Sequence, residues 1–277
     1  MNSEAQVYSP IIKKRGFCPN PLVVEGIPEY ADIRLNPRVE GTAGYEDFWN
    51  EQINRCVNGY TTGGLHIPGR YYWYLNFCIL STVGRGNHYA EYVDIDLEFF
   101  RLVDQVKKEH KGIIILKKRR GGVSQKFVDG IIDYGMHFTP EGYVGGICAG
   151  NSTYSDSLFA KFKMSNSFRP PEFQMHFLYD NMDETQAGWQ EKTDVGMVIK
   201  GSMNKVLCRT MKMNPAMFKG ERLDDAGFEE SGEFDKLISA FTATKKCFAI
   251  GERMIGTQYI YGTGGNIKSG SEGFKDM

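Results

Sequence analysis

A chain of 277 residues is long enough to form one large α/β domain, or one core with a smaller subdomain. Hydrophobic residues make up 41% of it and charged residues 24%, proportions typical of globular proteins that exclude a disordered or fibrous chain. The net charge of -1 excludes a generally basic surface, so any affinity for nucleic acid has to come from a local patch.

The cysteines and the hydropathy pattern indicate a cytosolic chain. The six cysteines form no CxxC pair and have no histidine partner at zinc-finger spacing, which predicts reduced thiols at Cys18, Cys56, Cys78, Cys148, Cys208 and Cys247. No apolar run precedes Pro10, and no stretch reaches the roughly 18 apolar residues that a membrane span requires. We therefore expect neither secretion nor membrane insertion.

The first part of the chain shows little periodicity. Residues 1–60 are rich in proline, glycine and polar turns, with a basic cluster at 13–15. We predict an N-terminal arm with irregular loops there, followed by one domain over residues 61–277. Early in that domain, a turn at Pro68 and Gly69 leads into the aromatic segment YYWYLNF, for which packing in a core is the first interpretation.

A helix, a strand, a basic loop and a second helix follow in order. Residues 97–106 have apolar positions at helical spacing, and the β-branched run 113–115 after them predicts a buried strand. The loop KKRRGGVS then leads into a helix whose apolar residues Phe127, Val128, Ile131 and Ile132 share one face.

A second strand and helix repeat this arrangement. Residues 143–149 predict a buried strand, and Ser152 or Thr153 is expected to cap a helix that runs towards Phe168. Repeated units of this kind predict an α/β fold with a mainly parallel central sheet flanked by helices.

The remaining elements are less regular. Residues 169–192 are polar and interrupted by prolines, which predicts a long excursion before strands at 197–200 and 205–209. A helix over about 234–244 and a strand-like segment at 258–265 complete the pattern.

The segment KKRRGGVS has the parts of a phosphate-binding loop. Such a loop points backbone N–H groups at an anion, while a cation reaches the β and γ phosphates and a hydroxyl serves Mg²⁺. Aligned with GxxxxGK[ST] on Ser124, the second glycine is Gly122, but Val123 stands where lysine is usual. Lys117 falls on the first position, so the cation has moved to the front of the loop. The candidate nucleotide-binding residues are Lys117, Arg119, Arg120, Gly121, Gly122, Val123 and Ser124.

Other interpretations of this loop exist. Four consecutive cations are also typical of a solvated face or of a nucleic-acid patch. A serine between a strand and a helix also suggests the GxSxG elbow of α/β-hydrolases. That motif is disfavoured, because Lys126 stands where it needs glycine and no histidine follows His176.

Two later segments carry the remaining candidate groups. Hydrolysis of ATP needs one carboxylate for Mg²⁺ and another for the attacking water, and Glu229 with Glu230 provides such a pair. The residues before them, 224–227, are poor for a buried strand, so an exposed acidic turn is the alternative. In YGTGG, Thr263 lies among small residues that let the backbone pass close to a phosphate.

Together these segments resemble the motifs of the large terminase subunits of tailed phages. KKRRGGVS resembles their P-loop with the lysine at its front, FEESGEF their Walker B segment with its trailing catalytic glutamate, and YGTGG their coupling motif. YYWYLNF also resembles a segment that precedes the P-loop in some members and contributes to the adenine pocket. The resemblance covers roughly residues 60–265.

This resemblance implies an ASCE-type P-loop NTPase that hydrolyses ATP with Mg²⁺. By position, Lys117 and Arg120 would meet the phosphates, and Gly122 would shape the loop. Ser124 and Glu229 would bind Mg²⁺, Glu230 would be the catalytic base, and Thr263 would couple hydrolysis to movement. The acidic run before Glu229 departs from the apolar strand of the family, which leaves the register of the acids open by one residue.

A catalytic arginine is also expected. The candidates are Arg222, in KGER, and Arg253, in a second GER, with a surface salt bridge as the alternative for each.

The resemblance further implies a motor that moves double-stranded DNA into a procapsid. Its implied partners are the portal protein, the small terminase subunit and further copies of the chain in a ring, expected to be a pentamer, docked transiently on the portal in the host cytoplasm. Family members continue into an RNase H-like nuclease domain, which we expect to be absent, since Glu272 and Asp276 are the sole acids after YGTGG. The alternatives are another nucleic-acid-dependent P-loop ATPase, such as a helicase-like one, and a non-catalytic nucleic-acid-binding protein.

Overall fold

The computed structural model describes residues 40–41, 43–62, 64–82, 84, 86–264, 274 and 277. Its contacts divide the chain into two compact units. The first holds the described residues up to Val103 and Met164–Gln174, and the second holds Asp104–Lys163 and the described residues from Met175 onwards. The predicted boundary at residue 60 falls inside the first unit. The basic cluster at 13–15, Cys18, Gly265, Glu272 and Asp276 lie outside the described residues.

The first unit is built around an aromatic helix. Its elements are helices α1 (Tyr45–Asn58), α2 (Gly69–Phe77) and most of α3 (Asp94–Lys108), a helical turn at Pro171–Phe173, and two antiparallel strand pairs, β1 (Tyr60–Thr62) with β2 (Leu65–Ile67) and β3 (Ile79–Thr82) with β4 (Gly86–Tyr89). The rings of Trp73, Phe77 and Phe173 contact one another at centroid distances of 4.6 to 5.2 Å. Nearly all of α2 is buried, which confirms the prediction that YYWYLNF packs in a core.

Helix α1 corrects the prediction of irregular loops throughout residues 1–60. Its buried residues Phe48, Gln52 and Cys56 recur every four positions, which places them on one face of the helix. The stripe contains a polar residue, and this interruption obscured the pattern. The Gln52 side chain accepts a hydrogen bond from the Tyr72 hydroxyl at 2.6 Å, so its polar group is satisfied inside the core.

The second unit combines a sheet with helices on its faces. Its strands are β5 (Ile113–Leu116), β6 (Val144–Ala149), β7 (Phe177–Asp180), β8 (Glu184–Ala187), β9 (Trp189–Thr193), β10 (Gly196–Lys200), β11 (Lys205–Thr210), β12 (Asp225–Glu229), β13 (Ala249–Ile250), β14 (Arg253–Met254) and β15 (Thr257–Gly262). Its helices are α4 (Val123–Phe127), a π-helical turn (Val128–Asp133), α5 (Tyr134–Phe138), most of α6 (Ser152–Phe168), α7 (Leu237–Thr244), and short turns at Ser231–Glu233 and Lys245–Phe248.

Seven of the described strands form one sheet, in the order β5-β15-β12-β6-β11-β8-β7. The five strands from β5 to β11 run parallel, and β8 and β7 continue the sheet antiparallel. The predicted α/β fold with a mainly parallel central sheet flanked by helices is confirmed. Because β15 lies between β5 and β12, the carboxyl ends of all three strands meet at one edge, where ligands bind in open α/β sheets.

Strand β12 is buried along its whole length despite its polar sequence. The Asp225 carboxylate is 1% exposed and accepts hydrogen bonds from the hydroxyls of Tyr143 at 3.1 Å and Tyr259 at 2.9 Å, and from the Lys107 ammonium. These partners offset the desolvation of the charge. The alternative of an exposed acidic turn is therefore wrong for this strand, and Glu229 is its last residue.

Two local expectations are also settled by the structure. The prediction that Ser152 or Thr153 caps α6 is wrong. The Asn151 side chain accepts a hydrogen bond from the Thr153 N–H at the start of α6, at 2.9 Å. The excursion predicted over 169–192 contains strands β7, β8 and most of β9.

The five cysteines that the structure describes are free. None of the described helices has the length and apolarity to cross a bilayer.

Candidate active site

A cavity of about 460 Å³ lies at the carboxyl edge of the sheet in the second unit. Three strands end beside it: β5 at Leu116, β12 at Glu229 and β15 at Gly262. The loop between β5 and α4 forms one wall, and α6 with the turn after β12 forms the other. The lining residues are Lys117, Arg119, Arg120, Gly121, Gly122, Val123, Ser124, Gln125, Tyr154, Lys161, Glu230, Glu233 and Thr263.

The backbone of the loop at 117–122 is held in an unusual conformation. The Lys117 N–H donates to the Gly262 carbonyl at 2.9 Å, which ties the start of the loop to the neighbouring strand. Gly122 has a φ of +71°, where the lack of a Cβ permits the turn into α4. Arg120 has a φ of +63°, a conformation that costs an L-residue about 1–2 kcal/mol. Backbone strain of this kind concentrates at functional sites.

The Lys117 ammonium lies at the centre of the site. It donates hydrogen bonds to Ser124 Oγ at 2.8 Å and to Glu229 Oε1 at 3.0 Å, and it lies 2.9 Å from Glu230 Oε1. The side chain is only 8% exposed, so its charge is compensated almost entirely by these groups. The structure thus brings together the predicted phosphate cation, the predicted hydroxyl and both predicted acids.

The oxygens of Ser124 and Glu229 have the chemistry of a Mg²⁺ site. Ser124 Oγ donates to Glu229 Oε1 at 2.7 Å, while the buried Oε2 has no hydrogen-bond partner among the described residues. An orphaned carboxylate oxygen of this kind is a vacant place for a donor or a cation. The described residues contain no group of three or more histidine, cysteine, aspartate or glutamate side chains that could hold a metal ion.

Glu230 is held by the segment that follows β15. Its backbone has a φ of +47°, and its Oε2 accepts hydrogen bonds from the N–H and the hydroxyl of Thr263, both at 3.2 Å. The backbone of Gly262 packs directly against the turn after the acids, since a Cβ added there would lie 2.5 Å from Ser231 N. The acidic pair and the YGTGG segment are therefore one structural unit.

The surroundings move the pKa values of the two acids in opposite directions. Burial raises the pKa of Glu229, and the charge of Lys117 offsets this only in part. Burial also acts to raise the pKa of Glu230, but the hydrogen bonds from Lys117 and Thr263 outweigh it and hold the pKa below its usual value. Glu230 is therefore a carboxylate at neutral pH. Two acids with diverging pKa values are typical of a site in which each has a different role.

Most of the residues predicted from the sequence meet at this cavity. Glu229 does not line it but contacts Lys117 and Ser124, which do. Arg222 does not line it either. Arg222 precedes the amino end of β12, whereas Glu229 is at its carboxyl end. The strand from Asp225 to Glu229 is about 13 Å long, at roughly 3.3 Å per residue. Arg253, on the exposed strand β14, is likewise absent from the lining.

Sequence reasoning missed several residues of the site. Gln125, Tyr154, Lys161 and Glu233 line the cavity. Lys126, only 4% exposed, donates from its ammonium to the Gly121 carbonyl at 3.0 Å and supports the loop. A signal existed for two of them, because Tyr154 and Lys161 are seven residues apart and so share one face of the predicted helix.

No family model matches the sequence, and no curated protein matches it. Solved structures of phage large terminases are among those found to be similar. The HK97 bacteriophage large terminase is 11% identical and matches over 72% of this chain with a TM-score of 0.49. Two structures of the large terminase ATPase domain of Thermus phage P74-26 are 12% and 13% identical and match over 60%, with TM-scores of 0.39 and 0.37.

The chain spans 38% of the length of the HK97 protein and 68% of each P74-26 structure. Such distant likenesses do not carry a function from one protein to another. The function has to be derived from the residues of the site.

Gly262 gives a test of the contact that holds the acids in place. In Gly262→Ala the new Cβ would meet the backbone nitrogens of Ser231 at 2.5 Å and Gly232 at 2.9 Å, so the turn after β12 has to shift. We expect the free energy of unfolding to fall by about 1–3 kcal/mol in urea titrations. Gly264→Ala is the matched control, since a Cβ there meets nothing within 4 Å. Equal stability of the two variants would contradict the close packing of β15 on the acidic turn.

Proposed function

We propose that the second unit binds ATP in this cavity and hydrolyses it. The observation that carries the proposal is the position of the Lys117 ammonium, within 3.0 Å of Ser124 Oγ and of a carboxylate oxygen of both Glu229 and Glu230. A cation, a hydroxyl and two carboxylates beside a helix N-terminus are the groups that phosphoryl transfer to water requires.

The loop residues would bind the triphosphate. The backbone N–H groups of Gly122 and Val123 lie where the loop enters α4, and the helix dipole favours an anion there. Lys117 would exchange its carboxylate partners for oxygens of the β and γ phosphates, since both kinds of partner form charge-assisted hydrogen bonds. Arg119 and Arg120 line the same cavity and would add positive charge.

Ser124 and Glu229 would hold Mg²⁺, because their oxygens lie 2.7 Å apart and Glu229 has a buried oxygen without a partner among the described residues. The ion supplies neutralisation of the charge that develops on the phosphate oxygens.

Glu230 would orient the attacking water and accept its proton. It lines the cavity while Glu229 does not, and Thr263 holds its Oε2, so that its Oε1 would be left to accept a proton once Lys117 turns to the phosphates. The bonds from Thr263 to Glu230 give the residue after β15 a direct contact with the site of hydrolysis. A change at the phosphate would therefore reach the YGTGG segment, which supports the coupling role proposed for Thr263.

We propose further that the hydrolysis drives packaging of double-stranded DNA into a procapsid. The support is the order and content of the three motifs that resemble terminase motifs, now joined in one site. On this proposal the chain acts in the host cytoplasm as one of the copies, expected to be five, that form a ring on the portal protein with the small terminase subunit. Arg222 is too far along β12 to serve its own site, so its proposed catalytic role is to act on the site of a neighbouring copy.

The first test concerns Lys117. We expect Lys117→Ala to lower ATP turnover by about 10²–10³, the scale seen when one donor that stabilises a transition state is lost. Lys118→Ala is the control, because Lys118 is exposed and does not line the cavity. The assignment is wrong if Lys117→Ala turns over normally while Arg119→Ala or Arg120→Ala does not.

A second test separates the roles of the two acids. Glu230→Gln keeps the shape of the side chain but cannot accept a proton, so we expect it to retain Mg²⁺-dependent binding of a non-hydrolysable ATP analogue and to lose hydrolysis by about 10²–10⁴. Glu229→Gln should lose the Mg²⁺ dependence of binding. Calorimetry with and without Mg²⁺ measures both effects. Equal loss of binding in the two variants would exclude this division of roles.

The packaging role requires a partner assay. We expect the chain to sediment with procapsids of its own phage only when the portal protein is present, and ATP turnover to rise when double-stranded DNA is added to that complex. Procapsids without portal are the control. Equal binding to both kinds of procapsid, or stimulation by single-stranded DNA alone, would favour a helicase-like ATPase.

A further inference from the structure

The wall of the cavity that faces the loop carries a cation that has no partner among the residues the structure describes. Lys161 lies on α6, lines the cavity and is partly buried. It makes no hydrogen bond or ion pair with any residue that the structure describes. Its neighbour Lys163, on the same helix, pairs with the Asp180 carboxylate and the Asn181 carbonyl instead. Lysine is rarely removed from water unless it is paired, so an unpaired ammonium facing a cavity suits an anionic ligand.

The same helix face is fixed against the acidic turn. Tyr154, two helical turns before Lys161, donates its hydroxyl to Glu233 Oε2 at 2.7 Å. This hydrogen bond, together with burial, raises the pKa of Tyr154, so the phenol remains a donor. Glu233 ends the turn that begins after Glu230. The wall is therefore tied to the segment that carries the proposed water-activating acid.

The sheet places this wall on the side of the terminal phosphate. Strand β6, which leads into α6, pairs directly with β12, with Ala149 opposite Glu229. Helix α6 thus rises beside the strand end that carries the acids. The phosphate nearest to the acids in the proposed reaction is the one that is transferred. Its charge spreads over three equatorial oxygens, which leaves room for donors besides the cations of the loop.

We infer that Lys161 is a further catalytic residue, which donates hydrogen bonds to the terminal phosphate of ATP from the wall opposite the loop. The inference rests on the proposed ATPase function. Lys161 forms no covalent bond and transfers no proton. It stabilises negative charge that grows on the phosphate oxygens as the bond to the leaving oxygen breaks.

The test compares affinity for the triphosphate with affinity for the diphosphate. Lys161→Ala should lower the affinity for a non-hydrolysable ATP analogue about tenfold or more, the usual effect of losing one charge-assisted hydrogen bond, and should leave the affinity for ADP unchanged. ATP turnover at saturation should fall by about 10²–10³. Lys163→Ala is the matched control and should preserve both affinities and turnover, and Lys161→Arg should restore part of the discrimination between ATP and ADP.

Thermal melts of each variant exclude loss of fold as the cause. If the wild-type protein binds and hydrolyses ATP, and Lys161→Ala has the same affinity for the ATP analogue, the same affinity for ADP and the same turnover, the inference is wrong and the proposed function stands. Equal weakening of ATP and ADP in Lys161→Ala would show that the residue contacts an inner phosphate or the sugar, which also overturns it. If the unchanged chain binds neither nucleotide, the proposed function itself fails.

Discussion

A buried ammonium needs compensating groups from several directions, and Lys117 obtains them from parts of the chain that are far apart in sequence. Ser124 in α4 and the two acids at the end of β12 surround its charge, and Glu230 extends the connection to Thr263 after β15. Four segments therefore meet around one charge. Under the proposed function, a phosphate that enters the cavity would offer the same ammonium an equivalent partner, and the acids would then become available to metal and water.

The close approach of these segments depends on glycines, which have no side chain. Gly262 lets β15 pass close to the turn after the acids. Gly227, in β12, leaves room for the ring of Phe127 at the end of α4, because a Cβ on Gly227 would lie 2.4 Å from that ring. The loop and the acids can share one cation only because the backbones behind them are this close. The left-handed conformations of Arg120 and Glu230 have the same origin, since tight turns lead out of β5 and β12 into the site.

The polar residues inside the second unit follow a consistent rule. Asp225 is buried with two tyrosine hydroxyls and Lys107, and Gln258 with Thr244, so each has its partner. At the candidate site, Glu229 Oε2 is buried and has no hydrogen-bond partner among the described residues. An unsatisfied polar group keeps its capacity to bind. Lys161 lines the cavity and pairs with no residue that the structure describes, whereas Lys163 on the same helix is paired with Asp180.

The sequence by itself determined the elements whose signal is local. The β-branched run at 113–115, the apolar run at 143–149 and the helices after them follow from residue spacing, and the three motifs predicted residues of which most line one cavity. The tertiary structure decided which ends meet. The order of strands in the sheet puts β15 between β5 and β12. The folded sheet also supplies partners for Asp225 inside a strand whose sequence is unusually polar. Arg222 is left before the amino end of β12, away from the acids at its carboxyl end. The sequence also did not predict that Tyr154 and Lys161 line the same cavity as the loop at 117–122, because periodicity shows which residues share a helix face and carries no information about what that face meets.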